Sequence, residues 1–121
     1  MINIVDDDKN IRDGYRMLLK SAGYDCNCYE SAEEFLKNFN KDRTDLLLLD
    51  IHLNGMDGFS LLESLAKRGI HLPVIIITAY DKIENRKLAI KYGALAYLRK
   101  PIDSEALLDI IKYNLDSKIL H

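Results

Sequence analysis

The sequence has little of what several classes of protein require. It contains no tryptophan, two prolines, two cysteines and no apolar run near the ~20 residues of a membrane-spanning helix. A formal net charge of -2 leaves no basic footprint for nucleic acid, so we expect neither nucleic-acid nor membrane binding. The chain starts without the basic segment and long apolar stretch of a signal peptide, which predicts a cytoplasmic protein.

The two cysteines do not indicate a disulfide or a zinc site. Cys26 and Cys28 stand at i and i+2, which on a strand puts both side chains on one face at a separation poorly suited to a disulfide. A zinc site needs further ligands at close spacing, and the histidines are scattered at His52, His71 and His121. The cysteines are therefore predicted to be small core hydrophobes.

What the sequence does have is a regular alternation of β-rich runs and helical patterns. With 121 residues, 48% hydrophobic and 30% charged, the chain has the length and composition of one globular domain. The predicted strands are 2–5, 24–29, 46–49, 74–77 and 94–98, and the helical stripes lie at 11–22, 32–39, 59–66, 82–92 and 102–115. This order predicts an α/β fold with a five-stranded parallel sheet, right-handed crossovers and helices on both faces.

Local signals mark several helix ends. Gly23 and Gly93 follow helical stripes, as glycines do at helix C-termini. Ser31 and Glu34 have the spacing of a capping box. Asp8 and Asp57 are predicted to be N-caps, which is the simplest role for an acid just before a helix.

Acidic residues also follow two of the predicted strands. Asp6 and Asp7 come directly after the first strand, and Asp50 ends the apolar run of the third. Ligands of parallel α/β sheets bind outside the carboxyl ends of the strands. Acids gathered there are unfavourable unless a cation or a proton compensates them, so this edge is predicted to be a functional site.

Residues at the later strand ends complete a familiar pattern. Thr78-Ala79 follows the fourth strand, Tyr97 lies in the fifth and Lys100-Pro101 comes just after it. With the three acids, these residues make the chain resemble the receiver domain of bacterial two-component response regulators (CheY-like). The resemblance covers essentially the whole chain and implies a flavodoxin-like (βα)5 fold with strand order 2-1-3-4-5. Residues 1–121 are expected to form a single receiver domain, and the charged end 116–121 suits either a complete regulator or a fragment of a longer one.

The resemblance also implies a chemistry. Asp50 is expected to accept a phosphoryl group from a phosphohistidine on a sensor histidine kinase or phosphotransfer protein, in a phosphorelay. Mg²⁺, for which Mn²⁺ could substitute, is expected on Asp7 directly, on Asp6 mainly through water, on Asp50 and on the backbone carbonyl of His52.

Two further side chains are expected to assist at the phosphoryl group. By the resemblance, Lys100 and the hydroxyl of Thr78 contact phosphoryl oxygens, and the Lys100-Pro101 bond is cis. His52 and Tyr80 flank the site and are expected to modulate water access. The domain is expected to perform this self-catalysed transfer and slow autodephosphorylation without being an enzyme in the ordinary sense.

The chain departs from the family pattern in two places. The family usually has proline four residues after the phosphoacceptor, where this sequence has Asn54. The acids of one salt-bridged dimer type are also absent, since Leu95 and Ala96 stand there.

Helical angles predict an output surface. At ~100° per residue, the helices 82–92 and 102–115 each carry apolar residues on two sides. The predicted surface joins their outward sides to the fifth strand, with Tyr97 as a switch: Ile83, Arg86, Ile90, Tyr97, Arg99, Ala106, Ile110 and Tyr113. Its expected partner is an output domain, a downstream protein or a second copy in a phosphorylation-dependent homodimer.

Two other classes of function stay open. A haloacid-dehalogenase-type phosphatase also uses a strand-end aspartate with Mg²⁺, but it requires a second acid two residues later, where this chain has His52. A pseudo-receiver would keep the fold as a binding module without phosphorylation, and the complete set of site residues argues against it.

Overall fold

The computed structural model describes residues 1–116 and contains one parallel sheet. Its strands are β1 (Ile2–Val5), β2 (Cys26–Tyr29), β3 (Leu46–Asp50), β4 (Val74–Thr78) and β5 (Ala96–Arg99), in the order β2-β1-β3-β4-β5. The helices are α1 (Lys9–Ser21), α2 (Ala32–Asn38), α3 (Gly58–Lys67), α4 (Ile83–Lys91) and α5 (Ser104–Asp116), with a short 3-10 helix at Lys41–Arg43. The predicted flavodoxin-like fold and strand order are confirmed.

The alternating side chains of β3 explain why helices cover both faces of the sheet. Leu47 and Leu49 point into a core formed with α2, α3 and the buried Ala89 of α4. Leu46 and Leu48 point into a second core, formed with α1 and α5. A strand buried on both faces needs a continuous apolar run, which is what the sequence has here.

Two strands and one helix begin later than predicted, the strands because their first residues close the preceding helix and the helix because of the position of its N-cap. Tyr24 donates its backbone N–H to Leu19 of α1, and Ala94 does the same to Ala89 of α4. These residues close their helices and so do not open strands. Asp103 caps α5 by accepting hydrogen bonds from the backbone N–H groups of Glu105 and Ala106, so that helix starts at Ser104 and not at residue 102.

The predicted caps are otherwise present. Asp8 and Asp57 cap α1 and α3 with their side chains. Ser31 Oγ accepts the backbone N–H of Glu34 at 3.0 Å, but the Glu34 carboxylate accepts from the backbone N–H of Glu30, so the reciprocal half of the capping box is displaced by one residue. Cys26 and Cys28 are free thiols, as predicted, but they are half-buried and pack against the second core without belonging to it.

Gly58 brings the start of α3 against the end of β3. A Cβ at this position would lie 2.6 Å from Ile51 Cα and 2.9 Å from the carbonyl oxygen of Asp50. We expect Gly58→Ala to destabilise the protein by about 1–3 kcal/mol, because backbone must move to admit the methyl group.

Urea denaturation would check this expectation against Gly14→Ala as a control. Gly14 lies within α1, and a Cβ there would meet nothing within 4 Å. That change should stabilise by about 0.5–1 kcal/mol, because alanine is the better helix former. Equal effects at the two glycines would contradict the steric explanation.

Candidate functional site

Three carboxylates meet at the carboxyl edge of the sheet. Asp6 follows β1 and Asp50 ends β3, and these strands are direct neighbours. One carboxylate oxygen from each of Asp6, Asp7 and Asp50 lies within 4.8 Å of the others. Asp6 and Asp50 are only 1% and 5% exposed, whereas Asp7 is more open to solvent.

Lys100 is the cation that compensates the two buried acids. Its Nζ lies 2.9 Å from Asp6 Oδ2 and 2.9 Å from Asp50 Oδ2. Burial acts to lower the pKa of Lys100, but the hydrogen bonds to the two carboxylates outweigh it and the pKa is raised. Burial raises the pKa of Asp6, aided by the charge of Asp50 and opposed by the Lys100 hydrogen bond.

The remaining carboxylate oxygens bind nearby backbone. Asp50 Oδ1 accepts the N–H of His52 at 2.9 Å, and Asp6 Oδ1 accepts the N–H of Asp8 at 2.9 Å. The carboxylates of Asp6 and Asp50 are therefore oriented by backbone N–H groups in the short turns that follow their strands. The Lys100-Pro101 peptide bond that follows β5 is cis, as predicted.

Thr78 occupies the next strand end but does not join this ion-pair cluster. Its hydroxyl is fully buried and accepts the N–H of Tyr80 at 3.0 Å. It also contacts the carbonyl oxygen of Tyr80 at 3.3 Å, as donor. Its backbone carbonyl accepts the N–H of Lys100 at 2.8 Å, which ties the two site strands together.

Two aromatic rings flank the site. The ring centroids of His52 and Tyr80 are 4.1 Å apart, with the planes tilted by 57°. These rings come from the loops after β3 and β4, so their contact joins the two loops. Their predicted influence on water access stays a prediction.

Tyr97 points toward α4 and not into the carboxylate cluster. Its hydroxyl lies 3.4 Å from the carbonyl oxygen of Tyr80, as donor, and the Arg86 guanidinium carbon lies 5.9 Å from its ring centroid. Arg86 is also paired with Asp81, which lowers the pKa of that carboxyl, and Arg99 Nε lies 4.0 Å from Asp81. This charged network was not predicted, because an acid and two arginines on separate elements have no spacing signal.

The helical angles predicted that all residues of the output surface face solvent, but only some of them are well exposed. Ile83, Ile90 and Tyr113 are 69%, 80% and 77% exposed. Ile110, however, is half-buried and packs against the second core, and Ala106 is also half-buried. The helical angle gives the direction of a side chain, but neighbouring elements decide how much of it they cover.

The described residues 1–116 include no helix that is both long enough and apolar enough to cross a membrane. The fold and the acidic pocket together define a signalling domain of the CheY-like class. The sequence model of the response regulator receiver domain matches residues 2–112, and the chain belongs to that family.

Individual relatives agree with this assignment. The chain is 39% identical over 108 residues to the DNA-binding transcriptional regulator NtrC of Klebsiella pneumoniae, covering 89% of this chain and 23% of NtrC. It is 33% identical to the transcriptional regulatory protein TdiR of Thauera aromatica, covering 89% of this chain and 48% of TdiR. The chain thus spans about a quarter of one relative and about half of the other.

A solved structure is similar over nearly the whole chain. The CheY-like response regulator receiver domain protein from Methanospirillum hungatei JF-1 superposes with a TM-score of 0.87 at 36% identity, covering 96% of this chain and 93% of that one. Receiver domains generally use Mg²⁺ at an acidic pocket. The cluster of three carboxylates fits this ion, because Mg²⁺ prefers a few carboxylate oxygens and keeps several waters, and the open position of Asp7 leaves room for water.

Proposed function

We propose that this receiver domain takes a phosphoryl group on Asp50 from a phosphohistidine of a sensor histidine kinase or phosphotransfer protein. The observation that supports it best is the buried Asp50 carboxylate, grouped with two further acids and paired with Lys100. In the transfer, the P–N bond to histidine breaks and a P–O bond to an Asp50 oxygen forms, which gives an acyl phosphate. A carboxylate can attack a phosphoryl group only where the negative charge of that group is neutralised.

The chain's own residues would bind Mg²⁺ in unequal ways. Asp7 is the proposed direct ligand, Asp6 acts mainly through water, and Asp50 and the carbonyl of His52 contribute one oxygen each; Mn²⁺ could replace Mg²⁺. When bound, the metal supplies positive charge that neutralises carboxylate and phosphoryl oxygens.

Lys100 and Thr78 have separate proposed tasks. The Lys100 ammonium group already lies beside the Asp50 carboxylate. After transfer it would pair with a negatively charged oxygen of the phosphoryl group. The Thr78 hydroxyl would exchange its contacts with Tyr80 for a phosphoryl oxygen. Because the Tyr97 hydroxyl contacts the same Tyr80 carbonyl, movement of Thr78 is expected to release Tyr97 as well.

Incubation with acetyl phosphate and Mg²⁺ tests the proposal and its two rivals. Intact mass measurement should find one added phosphoryl group, and chelation of Mg²⁺ should prevent its addition. No adduct would favour the pseudo-receiver. Rapid turnover of varied phosphoesters would favour the phosphatase.

The proposed switch couples the site to the surface formed by α4, β5 and α5. Phosphorylation is expected to shift a pre-existing equilibrium of this surface and so alter binding of an output domain, a downstream protein or a second copy. Signalling of this kind would take place in the cytoplasm, where we place the protein as part of the proposal.

Beryllofluoride with Mg²⁺, a phosphoryl mimic, should reveal the switch without covalent change. We expect amide NMR shifts at Ile90, Tyr97 and Ile110, because these residues lie on the proposed surface. Residues at the opposite edge of the sheet, such as Asn40, serve as the internal control. Shifts confined to the loops around Asp50 would contradict the switch.

A further inference from the structure

The loop between β3 and α3 contacts the metal site through a backbone amide. The N–H of Asn54 donates a hydrogen bond to Asp7 Oδ2 at 3.2 Å. Asn54 is the residue that replaces the proline usual at this position, and proline has no N–H to donate. The contact is therefore available to this chain and unavailable to one with proline there.

The Asp7 carboxylate has fewer other contacts to fix its orientation than the carboxylates of Asp6 and Asp50. Asp6 and Asp50 are buried and both bind Lys100, whereas Asp7 is more open to solvent. Among residues 1–116, the Asn54 amide is the one hydrogen-bond donor to the Asp7 carboxylate. Without it, the Asp7 side chain would be free to rotate among its rotamers at the rim.

Local contacts define the path of this loop from β3 to α3. Gly55 has a φ of +77°, and a Cβ there would lie 2.6 Å from Glu33 Oε2, at the end of an exposed side chain of α2. Asp57 caps α3, and the N–H of Gly58 binds the carbonyl of Ile51 at 3.1 Å. The Asn54 amide thus has a defined place relative to β3.

We propose that the backbone N–H of Asn54 is a positioning group for the proposed metal ligand Asp7. It binds one carboxylate oxygen and leaves the other to the cation, so that Asp7 loses less side-chain freedom when Mg²⁺ binds. This inference rests on the proposed function, because it assumes that Asp7 is a direct ligand.

The test compares Asn54→Pro with Asn54→Ala. Proline removes the N–H, whereas alanine removes only the side chain. Proline suits the position, because it is the residue that the family usually has there. Asn54→Pro should weaken Mg²⁺ binding about three- to tenfold, which lies within the range for ordering one side chain on binding, and Asn54→Ala should stay within about twofold of native.

Mg²⁺ affinity is measured by NMR titration of the amide shifts, and urea unfolding in chelator shows whether each variant folds. If Asn54→Pro binds Mg²⁺ as tightly as the native protein, or if Asn54→Ala is equally weakened, the inference is wrong while the proposed function stands. If the native protein binds no Mg²⁺, both are wrong.

In the metal-free native protein a scalar coupling across the hydrogen bond from the Asn54 amide to the Asp7 carboxylate is expected, and its absence would overturn the inference even if the proline variant did not fold.

Discussion

Asp50→Asn is expected to abolish formation of the phosphoryl adduct. The amide has nearly the shape of the carboxylate, and its oxygen can still accept the N–H of His52. Its nitrogen carries no lone pair available for attack, and the amide has lost the negative charge that makes the carboxylate a nucleophile. Intact mass measurement after incubation with acetyl phosphate and Mg²⁺ should therefore find the unmodified mass.

The fold should survive this change. Asp50 lies beside Asp6, and neutralising one of two adjacent buried carboxylates removes a like-charge repulsion while Lys100 keeps Asp6 as its partner. Urea unfolding of Asp50→Asn should thus give a stability close to that of the native protein, which separates lost chemistry from lost structure.

Asp57→Asn is the matched control. The same substitution is made at a nearby acid whose role is to cap α3, and asparagine is an equally good N-cap. This variant should be labelled like the native protein. An adduct that persists in Asp50→Asn would contradict the assignment, and peptide mapping would then identify the residue that carries it.

The sequence predicted those parts of the site that depend on strand ends. Once 46–49 is interpreted as a buried strand, a parallel sheet places Asp50 at the same edge as Asp6 and Asp7, and the structure brings the three together. Thr78 and Lys100 follow from the same rule, because β4 and β5 also end at this edge. No precise side-chain geometry is needed for such a prediction.

Contacts made by backbone groups and by converging side chains could not be predicted in this way. Every residue except proline carries a backbone N–H, so the residue type at position 54 does not indicate that the backbone amide of Asn54 donates to Asp7. Similarly, the lysine was expected to face the phosphoryl group, and only the structure shows it bridging both Asp6 and Asp50. Such details depend on the relative positions of several elements, which local patterns do not contain.

Lys100→Met should be the most destabilising single change at the site. It leaves the Asp6 and Asp50 carboxylates buried without their shared cation. Breaking a fully buried pair in this way costs about 3–5 kcal/mol, and the partial exposure of Lys100 lowers our expectation to about 2–4 kcal/mol in metal-free protein. Methionine keeps most of the side-chain volume, so lost packing contributes little.

Lys67→Met is the control, because Lys67 also pairs with an acid, at 3.1 Å from Glu63, but on the exposed surface of α3. Such a pair contributes about 0.3–0.5 kcal/mol, so its loss should hardly change the urea midpoint. Mg²⁺ should restore part of the stability of Lys100→Met, because a ligand that binds only the folded state stabilises it and here also replaces the missing charge.

The stability lost in Lys100→Met should depend on pH in a defined direction. The pKa of Asp6 is already raised above its ordinary value of 3.8 by burial, so its ionised form opposes folding, and protonation removes that cost as the pH falls through the folded-state pKa. Loss of Lys100 raises this pKa further, so the difference from native should be largest above the folded-state pKa of the variant and shrink as the pH falls through it. At the alkaline end, the pKa of Lys100 is raised above its ordinary 10.5, so the native advantage persists to that pH and disappears only as Lys100 deprotonates above it. A difference between the two proteins that stayed constant as the pH fell from neutral to the ordinary Asp value of 3.8 would mean that Lys100 acts by packing and not by charge.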